Sequence, residues 1–390
     1  MNRFDDTIAA IATAPGQSGI AVVRISGPES VSVADRIFVH RAEKTKNLSE
    51  IPSHRAIFGR VVDGDQRVVD EVLLLIMRAP KSFTREDVVE IQCHGGRMPA
   101  RRILRLALQN GARQAGPGEF TQRAFLNGRL DLTQAEAILD LIHAQTERAA
   151  ASAVEQLEGG LSRKMGPVYE ACIALAADIE ASLDFPEDEI PPMDPAAIRR
   201  ELQRIQASVR DLRSTVIEGR LLREGAMAVI CGAPNTGKST LLNTLLEHNR
   251  AIVSDMPGTT RDSIEETIVL DGFPLRLVDT AGLRATGCEI EEQGIVRTQQ
   301  LISPADIVIH LLDATRPILE IIREIEREIG DTQILDTQKN RDAQGLQGLD
   351  TQDLDKVLDT HVWVVNKCDL VDQDALRSLP DGVLRMSLKT

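Results

Sequence analysis

The chain has 390 residues and a formal net charge of -14 at pH 7, from 45 Lys and Arg against 59 Asp and Glu. That length implies two or three domains, and that charge repels nucleic acid, so RNA contact requires a local basic patch or a partner. No apolar run reaches the roughly 18 residues of a membrane span, and the start MNRFDDTIAA lacks the basic and apolar regions of a secretory signal, so a cytoplasmic protein without membrane contact is predicted.

Residues 1–125 read as an α+β domain. Thr7 to Thr13, Ile20 to Ile25 and Val72 to Met77 are short apolar runs punctuated by Pro15-Gly16, Gly27-Pro28 and Ala79-Pro80. Arg97, Arg101 and Arg105 fall at i, i+4 and i+8, with Arg102 beside them, on a predicted helix whose Ile103, Leu104, Leu106 and Leu108 face inward. The row is a candidate RNA patch, although a solvated face is the default for charge on an exposed stripe. Cys93 and His94 could suggest a nucleophile pair, but neighbours on a strand point to opposite faces. Residues 126–222 read as a helical domain: from Leu130 to Leu222 the 3.6-residue periodicity is broken only near Phe185-Pro186 and Ile190-Pro191-Pro192.

Residues 223–390 alternate strands with helices, as in a doubly wound α/β domain. Met227 to Cys231, Thr267 to Leu270, Leu275 to Asp279, Ile307 to Asp313 and Val362 to Asn366 are the predicted strands of a largely parallel sheet. Between Arg316 and Thr360 the sequence turns polar and repetitive, with LDTQ at Leu335 to Gln338 and again at Leu349 to Gln352. An exposed, partly disordered insertion is expected there. The five cysteines, Cys93, Cys172, Cys231, Cys288 and Cys368, are widely separated with no C-x-x-C pair, which predicts reduced thiols.

The chemistry concentrates in five loops of this last domain. Gly232-Ala233-Pro234-Asn235-Thr236-Gly237-Lys238-Ser239 matches G-x-x-x-x-G-K-[ST] between a strand and the predicted helix Ser239 to Leu246. Glycines let such a loop curl its N–H groups onto the α- and β-phosphates, Lys238 reaches the β/γ-phosphates, and the Ser239 hydroxyl suits Mg2+. Thr240 continues the loop. Gly258-Thr259-Thr260-Arg261-Asp262 supplies a hydroxyl on a loop that can close over the metal, and Asp279-Thr280-Ala281-Gly282 supplies a carboxylate toward Mg2+ and the Gly282 amide toward the γ-phosphate. Asn366-Lys367-Cys368-Asp369 ends the last strand, and its aspartate can accept from the two donors of guanine that adenine lacks. Ser387, Leu388 and Lys389 fit a loop closing over the base. Leu283 stands where Ras-like enzymes place a water-orienting glutamine, so another group must promote hydrolysis.

The stretches AMAVICGAPNTGKSTLLNTLL, AIVSDMPGTTRDSIEE and LRLVDTAGLR closely resemble the MnmE (TrmE) family of tRNA modification GTPases. The resemblance extends through TAPGQSGIAVVRISGP, SFTREDVVEIQCHGG, PGEFTQRAFLNGRLDLTQAEAILDLI and LDFPEDEIP, nearly the whole chain. It implies an N-terminal tetrahydrofolate-binding and dimerisation domain, a helical domain and a P-loop GTPase domain. It implies a homodimer that works with the flavoprotein MnmG to add a (carboxymethyl)aminomethyl group at carbon five of the tRNA wobble uridine. The carbon would come from a 5,10-methylene- or 5-formyl-tetrahydrofolate. The implied potassium ion replaces an arginine finger and matches Asn235 with the segment Ser254, Asp255, Met256, Pro257, Gly258 and Thr259, of which Ser254, Met256 and Thr259 are the ligands; Thr260 would join Ser239 on Mg2+. Glu291 matches the glutamate that positions water, and Arg24, Glu90 and Arg129 match the folate contacts, Arg129 where family members may carry lysine. The family pattern continues past the guanine-closing loop with a last helix, a second half of the helical domain and a terminal Cys-Ile-Gly-Lys; a chain that stops at Thr390 is expected to lack them. A ribosome-assembly switch is the competing reading, because Era- and Der-like proteins share the potassium loops. A folate carrier with a vestigial GTPase is disfavoured by the intact loops.

Overall fold

The computed structural model describes residues 6–40, 47–184, 194–249, 265–279, 305–325, 361–380 and 382–389. Two compact units result, Met1–Leu139 with Leu157–Gly159, and Asp140–Gln156 with Gly160–Thr390.

The first unit is built on a seven-stranded sheet. Its strands are β1 (Ile8–Ile11), β2 (Ile20–Ser26), β3 (Phe38–His40), β4 (Arg55–Val62), β5 (Val68–Met77), β6 (Val88–His94) and β7 (Arg113–Gln114), in the order β3-β4-β5-β6-β2-β1-β7. All pairs are antiparallel except β1 with β7. Alternation along the strands puts Val23, Ile25, Leu74, Ile76, Val89 and Ile91 on one face. There they pack with Val33 and Ile37 of helix α1 (Ser30–Ile37) and with Ala100, Ile103 and Ala107 of α2 (Arg97–Gln109). The same alternation buries Cys93, 3% exposed, and turns His94 outward; burial raises the Cys93 thiol to about 11. His94 Nδ1 instead lies 2.7 Å from Asp70 Oδ1, so the two neighbours form no pair.

Helix α3 (Glu119–Leu126) carries an arginine of unusual position. Arg123 is 0% exposed and donates to the Asp6 carbonyl at 2.9 Å, Asp6 Oδ1 at 2.8 Å, Glu86 Oε1 at 3.2 Å and Glu119 Oε1 at 3.0 Å. Arg113 adds bonds to Glu119 and Asp6. Hydrogen bonds from Arg113 bring Glu119 down to about 2 against the opposing effect of burial. Burial alone would raise Asp6, but bonds from Arg113 and Arg123 prevail and lower it. A buried cation needs such compensation.

The helical stretch contains α4 (Leu132–His143), α5 (Glu147–Leu157), α6 (Gly160–Asp184), α7 (Pro195–Ser214) and α8 (Val216–Glu224). It is more broken than its periodicity suggests. Besides the interval 185–193, which lies outside the described residues, the helices are interrupted at 144–146, at 158–159 and at Thr215. Gly159 has φ 83, a left-handed geometry that ends α5 without a side-chain clash. Pro167 lies inside α6, where periodicity alone gives no warning. None of the helices among the described residues is long and apolar enough to cross a membrane.

The second sheet has the order β13-β12-β11-β8-β10-β9, with β8 (Ala226–Cys231), β9 (Glu265–Leu270), β10 (Phe273–Asp279), β11 (Ile307–Asp313), β12 (His361–Asn366) and β13 (Leu384–Arg385). Only β9 and β10 pair antiparallel; the other described pairs are parallel. The near-continuous apolar run of β8 suits a strand covered on both faces. On one face Ala228, Ile230, Leu277 and Leu311 pack with Leu241 and Leu242 of α9 (Lys238–Asn249). On the other, Leu312, Trp363 and Val365 pack with Ile321 and Ile325. Those isoleucines correct one expectation: 318–325 is a helix, α10, whose apolar side enters the core, rather than the start of an exposed insertion. The short stretch PILEIIREI contains a full apolar stripe that the polar text after it obscured. Residues 326–360 lie outside the described residues.

Candidate nucleotide site and N-terminal ligand site

Strand order reverses at β8, between β10 and β11, and ligands of open α/β sheets bind at such a switch point beyond the strand C-termini. The loop Gly232 to Ser239 leaves β8 there and enters α9. Gly232 has φ 148 and Gly237 φ 103, and Asn235 is left-handed at φ 63. Side chains at the two glycines would collide with the Leu311 carbonyl and with Asn366 Nδ2. The backbone therefore curls tightly enough for its N–H groups to converge at a helix N-terminus, an arrangement suited to phosphate. Lys238 is 7% exposed and bends over the mouth of the loop, its Nζ 2.9 Å from the Gly232 carbonyl and 2.7 Å from that of Ala233. Thr236 Oγ1 donates to the Ala233 carbonyl at 2.9 Å.

Asn366, 3% exposed, ties distant segments into one site. Its Nδ2 donates to the Thr236 carbonyl at 2.8 Å, and its Oδ1 accepts from Leu388 N at 3.1 Å. Lys367, itself left-handed at φ 65, reaches Asp313 Oδ2 at 2.6 Å. Burial would raise Asp313, but that lysine bond and the bonds from Thr315 together outweigh it and keep the carboxyl below its usual range. Ser387 Oγ donates to Asp369 Oδ1 at 2.8 Å, and Cys368 N to the Met386 carbonyl at 3.2 Å. The exposed carboxylate of Asp369 is thus held in orientation beside the loop of Ser387, Leu388 and Lys389. Positioned acceptors of this kind discriminate between bases by the donors each base offers.

The structure brings together Asn235 to Ser239, Asn366 to Asp369 and Ser387 to Leu388. Asp279 ends β10 opposite Ile230 of β8, at the level where the phosphate loop begins. Ser254 through Thr260, Thr280, Ala281, Gly282, Leu283 and Glu291 lie outside the described residues. Asp313 was not singled out from sequence; its position at the end of an apolar strand, level with Asn366 in the register, is the signal that could have found it.

A second cluster sits on the outer face of the first sheet. Arg24 and Glu90 are cross-strand neighbours on β2 and β6, and Arg24 Nε donates to Glu90 Oε1 at 2.8 Å. The guanidinium lies 5.4 Å from the Phe83 ring centroid and 5.5 Å from that of Phe120. Arg129 covers Phe83 at 4.7 Å and donates from Nη1 to the Phe83 carbonyl at 2.8 Å. Two arginines far apart in sequence therefore share one aromatic ring. Phe83 lies in an irregular segment with no periodicity to betray it, and Phe120 in the first turn of the short helix α3. The cluster offers cations, an anion and apolar faces together, the chemistry that a charged heteroaromatic ligand requires.

Residues 7–129 match the family model described as the GTP-binding protein TrmE N-terminus, and residues 132–389 match the MnmE helical domain. The tRNA modification GTPase MnmE of Geobacillus kaustophilus (strain HTA426) is 49% identical over 322 residues, covering 82% of this chain and 69% of that protein. That of Alkaliphilus oremlandii (strain OhILAs) is 43% identical over 387 residues, covering 99% and 83%. That of Streptococcus sanguinis (strain SK36) is 41% identical over 390 residues, covering 100% and 78%. With both family models matched and such identity over most of the chain, the chain belongs to the MnmE (TrmE) family of tRNA modification GTPases.

Proposed function

We propose that the chain binds and hydrolyses GTP and that this turnover drives modification of the tRNA wobble uridine. The observation that carries the reading is the clamp of Asn366, which joins the phosphate loop at Thr236 to the base-closing loop at Leu388. In this reading Lys238 and the loop amides of Asn235 to Thr240 hold the phosphates, and Asp369 with Ser387, Leu388 and Lys389 holds guanine. Ser239 and Thr260 would hold Mg2+, which supplies positive charge between the β- and γ-phosphates. Asn235, Ser254, Met256 and Thr259 would hold K+, which supplies the charge that an arginine finger gives elsewhere, worth about 10³ to 10⁵ in rate. Glu291 would orient the attacking water, the role left open by Leu283, and the Gly282 amide would sense the γ-phosphate.

Arg24, Glu90 and Arg129, with Phe83 against both guanidiniums, fit the acidic tail and ring of a reduced folate, which would supply the one-carbon unit. We further propose a cytoplasmic homodimer, joined through residues 1–125, that works with MnmG on tRNA to install the (carboxymethyl)aminomethyl group. Residues 126–222 would form the helical domain and 223–390 the GTPase domain. Introducing Lys238→Ala into the full gene and measuring wobble uridines by mass spectrometry tests the link between hydrolysis and modification. Loss of the modified nucleoside is expected; an unchanged level contradicts the reading.

A further inference from the structure

We infer that the outward face of α2 is a docking surface for the phosphate backbone of RNA, a proposal that rests on the tRNA reading above. The helix RMPARRILRLALQ has four arginines and no acidic residue, in a chain whose net charge is -14. Ala100, Ile103 and Ala107 are buried against the sheet, so at 100° per residue Arg97, Arg101, Arg102 and Arg105 occupy the opposite arc. All four are exposed. Arg102 approaches Asp63 at 3.6 Å, whereas Arg97, Arg101 and Arg105 make no ion pair among the described residues. Beyond the C-terminal end, the exposed Arg36 donates to the Asn110 carbonyl at 2.6 Å and extends the basic strip.

Two features separate this row from an ordinary solvated face. Arg97 stands in the first turn of the helix, where the macrodipole disfavours a cation, and no acid occupies that turn to offset it. Helix stability alone does not call for an arginine there. The row is also regular, one guanidinium about every 6 Å along the axis, which suits the repeating phosphates of a strand better than the scattered carboxylates of an acidic protein. Guanidinium binds phosphate through paired N–H bonds. An overall repulsive field makes such a local strip the means by which this chain can hold RNA.

The test uses the full chain and fluorescently labelled tRNA, with anisotropy titrations across a KCl series. Arg97→Gln/Arg101→Gln/Arg105→Gln is compared with Arg199→Gln/Arg200→Gln/Arg210→Gln, which removes the same charge from exposed positions of α7. Each phosphate contact contributes about 0.7 to 0.9 to the slope of log affinity on log salt. The α2 variant is expected to lose roughly 2 to 3 in slope and at least about tenfold in affinity, with the α7 variant near the parent. Equal losses in both variants, or an unchanged slope in the α2 variant, overturn the proposal; the second result would leave the strip to an acidic protein. GTP turnover measured in parallel keeps failure of this surface distinct from failure of the GTPase reading, and a matching thermal melt confirms that both variants fold.

Discussion

At the scale of single residues, Asn366 and Asp369 divide the work of the base site. Asn366 is an internal brace whose side-chain amide fills one hydrogen bond to the phosphate loop and one to the closing loop. Truncation leaves the Thr236 carbonyl and the Leu388 N–H unpaired, a cost of about 1 to 3 kcal/mol for each group that stays buried. Asn366→Ala is accordingly expected to lower both the urea midpoint of the second unit and GTP affinity. Retention of both would show that the brace is incidental. Asp369 faces outward, its Oδ1 steadied by Ser387. Asp369→Asn exchanges an acceptor for a mixed donor and acceptor, so guanine affinity should fall by roughly 10⁴ while xanthine nucleotides, with a carbonyl at carbon two, gain. Calorimetry with GTP, ATP and XTP reads this directly; equal ATP and GTP affinity in the parent would count against it. Arg24 is held by Glu90 and by two aromatic rings. Arg24→Ala should abolish binding of a reduced folate in a fluorescence titration and leave GTP affinity within about twofold, because the two sites lie in different compact units. Loss of both ligands together would contradict separate sites.

At the scale of elements, the phosphate loop follows from a strand covered on both faces running into an amphipathic helix, with glycines where the backbone must turn. That much was legible, because glycine placement and apolar runs are local signals. The five predicted strands of the second sheet coincide with β8 to β12 within about two residues, and the α+β character of the first unit was equally readable. What local pattern could not give is spatial. The convergence of Arg24, Arg129 and Phe83 depends on a cross-strand register and a turn, and the helix breaks near 144–146 and 158–159 lack the prolines that mark the break before α7. The helix 318–325 was missed because its stripe of four isoleucines is followed by a long polar stretch. The burial of Arg123 was not foreseeable either, since arginine in an amphipathic segment ordinarily points to water. Its partners give a stability prediction. Arg123→Met leaves Asp6, Glu86 and Glu119 without their common cation, and breaking a buried pair of this type costs about 3 to 5 kcal/mol. Amide exchange in β1 and β2 under mild urea should register the loss; exchange unchanged from the parent would mean that the carboxylates find water instead. The pH dependence follows from the same network. Glu119 is lowered from 4.5 to about 2, so its contribution is complete above pH 4.5 and is lost as the pH falls through about 2, and Asp6 acts in the same direction. The first unit should therefore lose stability on acidification across that window, and Arg113→Met, which removes the bonds that lower Glu119 most, should flatten the dependence.

At the scale of the whole molecule, the reading proposed above gives a strongly acidic chain two chemically different sites, one for a triphosphate and guanine, the other for a ligand held by arginines and an aromatic ring. Net charge does not favour either anion, so each site gathers its own local cations: Lys238 at the phosphate loop, Arg24 and Arg129 around Phe83. The family relationship gives the pairing its sense, since GTP turnover and one-carbon chemistry would serve a single modification of RNA. The central claim is the guanine-specific hydrolysis. It is tested most directly by steady-state phosphate release from the purified chain with Mg2+ and either GTP or ATP, each in KCl and in NaCl, beside Lys238→Ala. The account predicts GTP turnover in KCl that falls by roughly 10³ or more when sodium replaces potassium, negligible ATP turnover, and loss of activity in Lys238→Ala. Equal rates with GTP and ATP, or a rate in sodium that matches the rate in potassium, would contradict it.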